Sequence, residues 1–504
     1  MTIRTTPETQ QLGATRQFRP GLSLAAGMLG FFMVSIDVSA VNVALATMGR
    51  QLHTATAGLQ WVVDGYTLMF AALLLSAGAL SDRIGARRGY AIGVAAFTLS
   101  SVACGVAPGL GVLTGARFVQ GCAAAMMLPS SLALVRQAFT DPAGRARAIA
   151  LWTTAGSAAI ALGPAIGGLL VTEWSWRGIF LINVPAGLLA LVLLVRVPSS
   201  PRRPAGLDLG GQLAAIVALG GLTYAMIEGG TAGYASPRVL AAFAVAVIAA
   251  LVFCCAESRV AAPVVPLDLF RGRAPLTILA TGFAVNTAWY GTVFVMGLYV
   301  QQVRGASALA AGLMFVPMAI GIMITNVASP RLTARVGARV PLVTGLLVTV
   351  AGLLGLLWAG PVWRVALLLI PFGLVGLAIP VLITTLLENV PGAQAGLAGG
   401  VLNASRQVGS AVGVALFGAL VGDGGSFRSG LTASLIIAAA LLAATAAANA
   451  LVFRRRYPTL PGQTADRPAR EPVRVVPARS RAGRTHSPKS HQRNRPHPEP
   501  HRRH

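Results

Sequence analysis

Charge is scarce in this chain. Only 11% of its 504 residues are charged, while 55% are hydrophobic and the mean hydropathy is +0.70. An ordinary soluble domain carries about 25% charged residues, so this sequence lacks the polar surface that a water-soluble fold requires. Lysine is almost missing: Lys489 is the only one, and arginine supplies the remaining basic charge. Acids are few as well, 15 against 40 basic residues. Cysteine occurs four times, at Cys104, Cys122, Cys254 and Cys255, each inside an apolar run. That placement excludes a disulfide framework, and neither cysteine nor histidine shows metal-ligand spacing. No hydrolase or kinase motif stands in a credible context, so neither enzyme chemistry nor a cofactor or metal is expected. Met1 to Pro20 lacks a short apolar stretch followed by a cleavage site, so no cleaved signal peptide is expected.

What the chain does contain is long uncharged runs: Gly89 to Ala116, Ala274 to Val303, Gly305 to Pro330, Val340 to Trp363 and Ser429 to Phe453. Each exceeds the ~20 residues that a helix needs to cross a bilayer. In lipid only a helix satisfies its own backbone groups, so the runs are expected to be membrane helices. We read 14 spans, near 21–48, 58–80, 89–107, 110–139, 147–171, 178–196, 208–229, 238–257, 275–301, 307–329, 340–360, 364–387, 395–421 and 429–453. The fold class is therefore an all-α membrane protein.

The net charge of +25 does not signal a nucleic-acid partner. The tail from Arg454 onward carries +11 of it, and most other arginines fall in alternate loops. One set of loops holds Arg83, Arg87 and Arg88, then Arg136, Arg145 and Arg147, then Arg196, Arg202 and Arg203. Arg259, Arg271 and Arg273 follow, then Arg331, Arg335 and Arg339. The opposite loops hold at most one each: Arg50, Arg177, Arg238, Arg304 and Arg428. Positive loops stay in the cytoplasm, so both termini are expected there, in a multi-pass protein of the cell membrane. The loop around Glu388 has no arginine and breaks the pattern.

Two of these loops repeat each other. Gly78-Ala-Leu-Ser-Asp-Arg-Ile-Gly-Ala-Arg87 aligns with Pro330-Arg-Leu-Thr-Ala-Arg-Val-Gly-Ala-Arg339. The match equates spans 2 and 3 with spans 10 and 11. Spans 1–6 and 9–14 then form two six-helix bundles, and spans 7 and 8 are an inserted pair. Paired bundles with a substrate site between them are a common transporter plan. The domain reading is a tail over 1–20, a first bundle over 21–200, a linker with the inserted spans over 201–262 and a second bundle over 263–453. The Pro-, Arg- and His-rich stretch 454–504 is read as disordered.

Ionisable residues inside a span are costly and are functional candidates by default. Asp37 in span 1, Asp64 in span 2 and Arg117 in span 4 all fall roughly 10–15 Å below the outer surface at 1.5 Å per residue. We expect one buried cluster of two carboxylates and a guanidinium that couples protons; a structural ion pair is the plainer reading. Arg406 falls near the middle of span 13, either facing the cavity or satisfying a carbonyl in the second bundle. Glu228 ends span 7 and is expected at the interface. Trp61 and Tyr66 are expected as interface anchors, with Tyr66 an alternative cavity residue.

These same residues closely resemble the major facilitator superfamily, specifically its 14-span drug:proton antiporters, over about residues 20–455. The loop Gly78, Asp82, Arg83, Gly85, Arg87 and Arg88 is similar to the superfamily's signature loop, which gates the rocking of the bundles. Arg117-Phe-Val-Gln120-Gly121 resembles the intramembrane arginine motif tied to proton transfer. Gly156, Gly163, Pro164, Gly167 and Gly168 resemble the exporter motif of span 5. Ile36-Asp37-Val-Ser-Ala-Val-Asn42 resembles the motif of the 14-span group, with Ala46 where that group usually has Pro and Ser39 where it has Thr. Trp176-Arg177 through Asn183-Val-Pro185 resembles the start of span 6. The resemblance implies a major facilitator fold and proton-coupled export of drug-like or antibiotic molecules by alternating access. The partners expected are a small molecule, protons and the bilayer, with no nucleic acid and a monomeric chain. Cavity candidates are Asn42, Tyr66, Gln120 and Arg406, and few acids along the path suggest cationic or neutral amphiphiles. Two alternatives are a dedicated exporter of an endogenous metabolite or self-made antibiotic, and a transporter-derived receptor or scaffold.

Overall fold

A computed structural model describes residues 20–202, 208–259, 272–390, 395–422 and 426–453. The expected tails over 1–19 and 454–504 lie outside the described residues. Among the described residues the regular structure is all helical, with fourteen long segments. In order they are α1 (Pro20–Gln51), α2 (Thr56–Ile84), α3 (Ala86–Gly105), α4 (Leu110–Ala138), α5 (Pro142–Glu173) and α6 (Gly178–Val195). Next come α7 (Leu209–Ala232) and α8 (Pro237–Arg259). The last six are α9 (Arg273–Val303), α10 (Ala308–Val336), α11 (Arg339–Trp358), α12 (Val362–Glu388), α13 (Ala395–Val421) and α14 (Phe427–Val452). Thirteen are long and apolar enough to cross a membrane. The other, α3, has 20 residues but opens on Arg87 and Arg88, which lower its hydropathy.

Packing follows the internal repeat. In the first half α1 packs on α5, α2 on α4 and α3 on α6; in the second α9 packs on α13, α10 on α12 and α11 on α14. The halves meet in a crossed manner, α2 against α13 and α5 against α10, as a two-fold relation between repeats requires. Between them α7 touches both α2 and α13, and pairs with α8. The repeated loops agree in their backbone. Gly85 and Gly337 both take positive φ, +95° and +79°. Each also returns its N–H to the carbonyl four residues earlier, Ser81 and Thr333, at 2.9 Å. Only glycine adopts such angles freely, so each marks a sharp turn between two helices.

Small residues let helices close in where lipid provides no hydrophobic drive between them. A Cβ on Gly167 would stand 2.9 Å from the Ala40 Cβ and carbonyl, and one on Gly156 would collide with Phe31. Many large apolar side chains on the outer faces of α3, α6 and α8 stay exposed, among them Leu99, Val192 and Ile248. A bilayer is the medium that such faces suit.

Candidate functional site

Asp37 lies mid-way along α1 and is 0% exposed, as is Asp64 on α2. Arg117 of α4 donates from Nη1 to Asp37 Oδ2 at 2.5 Å. Its Nε donates to the Val62 carbonyl of α2 at 2.9 Å, and Nη1 also reaches Gln120 Oε1 at 2.8 Å. The guanidinium rests 4.4 Å over the Tyr66 ring and 5.7 Å from Phe180. Gln120 Nε2 donates to Asp37 Oδ1 at 3.1 Å and to Ser101 Oγ at 2.6 Å. Asn183 of α6 donates to Asp37 Oδ1 at 3.5 Å and to Ser101 Oγ at 3.2 Å. Side chains from α4 and α6 thus bond the α1 carboxylate directly, while Val62 of α2 and Ser101 of α3 hold the groups that bond it. A buried ion pair is tolerable only with such complete hydrogen bonding, because each charge has lost its water.

The sequence led us to expect one cluster of three ionisable groups, and the structure separates them. Asp64 does not join Arg117. Val62 and Tyr66 on α2 face Arg117, and two residues along a helix is about 200° of rotation, so Asp64 looks elsewhere. Its Oδ1 accepts from Thr67 Oγ1 at 3.3 Å, and Oδ2 is buried without a partner. One turn from Asp64, Gln60 donates to the Ala415 and Val414 carbonyls of α13, at 2.7 and 3.2 Å. Asp64 therefore lies on the side of α2 that carries the seam between the halves.

The cavity between the halves is lined from α1 by Ser35, Val38, Ser39 and Asn42, and from α9 by Asn286, Trp289 and Tyr290. Phe31, Phe70 and Phe315 add apolar wall, and Asn403, Arg406 and Gln407 come from α13. Its volume is about 160 Å3, below the ~300–1,000 Å3 of drug-sized sites. Of the four expected cavity residues, Asn42 and Arg406 line it. Tyr66 and Gln120 are instead sealed beside Arg117, so Tyr66 is not an interface anchor. Trp61 packs near Tyr224 of the inserted α7, centroids 6.4 Å apart, and Glu228 pairs with Arg238 at 3.0 Å.

Ser101 and Asn183 were not singled out as site residues from the sequence. Serine is too common in membrane helices to stand out, and Asn183 was legible only as part of the motif that starts span 6. Their roles follow from helix contact alone.

The profile of the Major Facilitator Superfamily matches residues 27–414. The chain belongs to the Major Facilitator Superfamily. Among characterised relatives, the methylenomycin A resistance protein of Streptomyces coelicolor is 38% identical over 429 residues, 84% of this chain and 90% of the relative. The multidrug resistance protein Stp of Mycobacterium tuberculosis is 39% identical over 406 residues, 79% of this chain and 75% of the relative. The tetracenomycin C resistance and export protein of Streptomyces glaucescens is 35% identical over 415 residues, 80% and 76%. Among solved structures, a peptide transporter in complex with sulfate superposes with TM-score 0.65 at 15% identity, covering 86% of this chain and 94% of the other. A bacterial homologue of the lysosomal transporter Spinster gives 0.62 at 15% identity, covering 86% and 97%. At these identities the structures share the fold with this superfamily member.

In this member of the superfamily, the exporter-like glycines of α5 are contact points. A Cβ on Gly163 would collide with Ser39 Oγ, and one on Gly168 would stand 2.6 Å from the Ala308 carbonyl of α10. The Pro164 carbonyl packs against Gly312, where a Cβ would approach within 2.1 Å. Proline also leaves the Ile160 carbonyl without its helical donor, at the cavity wall. In the loop between α2 and α3, Arg87 donates from its backbone N–H to Ser200 Oγ at 3.1 Å and from Nε to the Leu194 carbonyl at 3.2 Å. These bonds tie the loop to the end of α6. Gly78 sits 3.7 Å from Pro129 of α4, by the position its Cβ would take. Asp82, Arg83 and Arg88 are exposed.

Proposed function

We propose that this superfamily member exports drug-like or antibiotic small molecules in exchange for protons that move down their gradient, by alternating access of the cavity between its two halves. The observation that carries the reading is the Asp37–Arg117 pair, sealed in the first half on the helix that also lines the cavity. A proton on Asp37 cancels the pair's attraction, yet Arg117 keeps the Val62 carbonyl and Gln120, so the guanidinium stays solvated by protein. Asp37 is thus the proton carrier, Arg117 its counter-charge, Gln120 and Asn183 hold the carboxylate for either state, and Ser101 holds those two amides. Asp64, alone at the seam, is a second protonatable group whose charge opposes closure of α2 on α13.

Alternation requires contacts between halves that can break. Gln301 donates to the Val43 carbonyl at 3.0 Å, the Leu309 N–H to Thr172 Oγ1 at 3.2 Å, and Gln60 to α13. With the arginine-rich loops in the cytoplasm, these bonds all lie in the outer halves of the helices and close the outer side. The glycine contacts Gly168–Ala308 and Pro164–Gly312 join them. The loop from Gly78 to Arg88 gates the opposite side.

The test is drug-dependent proton movement in inverted vesicles under an imposed pH gradient. Asp37→Asn is expected to abolish it and Asp64→Asn to reduce it; full coupling in Asp37→Asn removes Asp37 from the role. A second reading, a dedicated exporter of a self-made antibiotic, is favoured by the names of two Streptomyces relatives, one a resistance protein and one a resistance and export protein. A biosynthetic cluster beside the gene supports it, and isolation beside a repressor gene argues for broad drug defence.

A further inference from the structure

We infer that the transported molecule carries a negative charge or a strong acceptor group, a carboxylate or an acidic enol or phenol on an aromatic body, and that Arg406 receives it. This names the substrate class of the export reading and rests on it. It differs from the cationic or neutral amphiphiles suggested by the sequence.

The argument begins with charge. Arg406 is the only charged residue on the cavity wall, and no Asp or Glu lines it among the described residues. The guanidinium has no carboxylate partner there either: the ion pairs seen are Arg117 with Asp37 and Arg238 with Glu228. Its one hydrogen bond runs from Nε to Asn286 Oδ1 at 3.2 Å. Asn286 is itself fixed by donating to Ser410 Oγ at 3.1 Å. The stem of Arg406 lies against Gly282, whose absent side chain lets it pass. The side chain is therefore held from behind, with its two terminal nitrogens left for the cavity. Arginine donates in a planar fork that matches a carboxylate in two-point contact. A cation inside a membrane protein without a protein counter-ion is costly, and a ligand that brings the counter-ion removes that cost.

The rest of the wall fits an aromatic acid. Trp289 stacks on Phe372 with centroids 5.0 Å apart and planes 5° apart, which holds its ring in place. Tyr290, Phe31, Phe70 and Phe315 supply further apolar and aromatic surface. Asn42 leaves its acceptor Oδ1 buried and unpartnered at the wall, which suits an N–H or O–H on the body of the ligand and not its anionic end. A cationic ligand would meet Arg406 with no acid to offset it, and like charges placed together repel.

The experiment measures binding by purified full-length protein with three probes that share a ring system: 2-naphthoate, 2-naphthamide and 2-naphthylmethylammonium. Wild type is expected to bind the carboxylate most tightly and the ammonium least. Arg406→Gln is expected to weaken the carboxylate by tenfold to a hundredfold, about the range of a hydrogen bond to a charged group, and to leave the amide nearly unchanged. Arg406→Lys keeps the charge and is expected to restore part of the preference. An ammonium probe bound as tightly as the carboxylate by wild type overturns the assignment, even if Arg406→Gln fails to fold. A carboxylate preference that persists in well-folded Arg406→Gln overturns it too. Binding is read without transport, so the two readings fail separately. Carboxylate binding without efflux of any compound sinks export alone. Vesicle efflux that selects cations sinks this assignment alone.

Discussion

Asp37 and Ser39, two residues apart on α1, serve opposite faces of that helix. Asp37 is locked to Arg117 inside the first half, while Ser39 lines the cavity and donates to the Ala159 carbonyl of α5 at 3.3 Å. A single helix thus separates the protonatable group from the space for the cargo. A small rotation or shift of α1 changes both environments together. In the proposed cycle that is the physical route from proton to substrate, without direct contact between them.

The pair predicts an asymmetry in stability. Arg117→Ala leaves a buried carboxylate uncompensated and should destabilise by about 3–5 kcal/mol, the usual cost of removing one partner of a buried pair. Asp37→Asn removes the charge but keeps the shape, and Arg117 retains Val62 and Gln120. Thermal unfolding in detergent should show Arg117→Ala melting well below Asp37→Asn. Equal losses would mean that the pair is not desolvated as described.

Ser101 and Asn183 should act on transport through Asp37 alone. Each substitution to Ala removes hydrogen bonds worth roughly 1 kcal/mol net. Coupled transport measured against pH should shift its profile in Asn183→Ala, while the protein stays folded and in the membrane. A lower maximum with an unshifted profile would reduce Asn183 to a packing residue.

The seam between the halves at Gly312 has no room for a side chain, since a Cβ would come within 2.1 Å of the Pro164 carbonyl. Gly312→Val should hold the outer side partly open. Thiol labelling of a cysteine placed at Leu309 should rise, and efflux should fall at least about tenfold, a change of ~1.4 kcal/mol in the barrier or the populations. Gly111→Ala is the control, because nothing stands within 4 Å of its Cβ position.

Gly85 is bound to its conformation by φ of +95° and by the Ser200 carbonyl, 2.9 Å from a would-be Cβ. Gly85→Ala should cost about 1–3 kcal/mol, the range for a non-glycine residue forced into a sparse backbone region. Gly337→Ala, at the equivalent turn, should cost a similar amount. A melting temperature unchanged in both would show that these turns relax freely.

Much of this was legible in one dimension, and some was not. Uncharged runs longer than a bilayer sufficed for a helical membrane fold of many spans, and two copies of one loop for the matched turns at Gly85 and Gly337. The physical reason is that lipid punishes every exposed backbone group and every charge locally, residue by residue, so the sequence must carry the solution openly. Asp37, Asp64 and Arg117 stood out for the same reason, as charges where charge is costly. Rotation about each helix was different. It depends on which neighbour packs where, and only the tertiary structure showed that Tyr66 and Gln120 close over Arg117, that Asp64 turns to the seam, and that Ser101 and Asn183 complete the ring. The character of the cavity was decided at that level as well. Whether Arg406 has a carboxylate beside it is a question of distance between helices far apart in the chain, and no local pattern of residues encodes that distance.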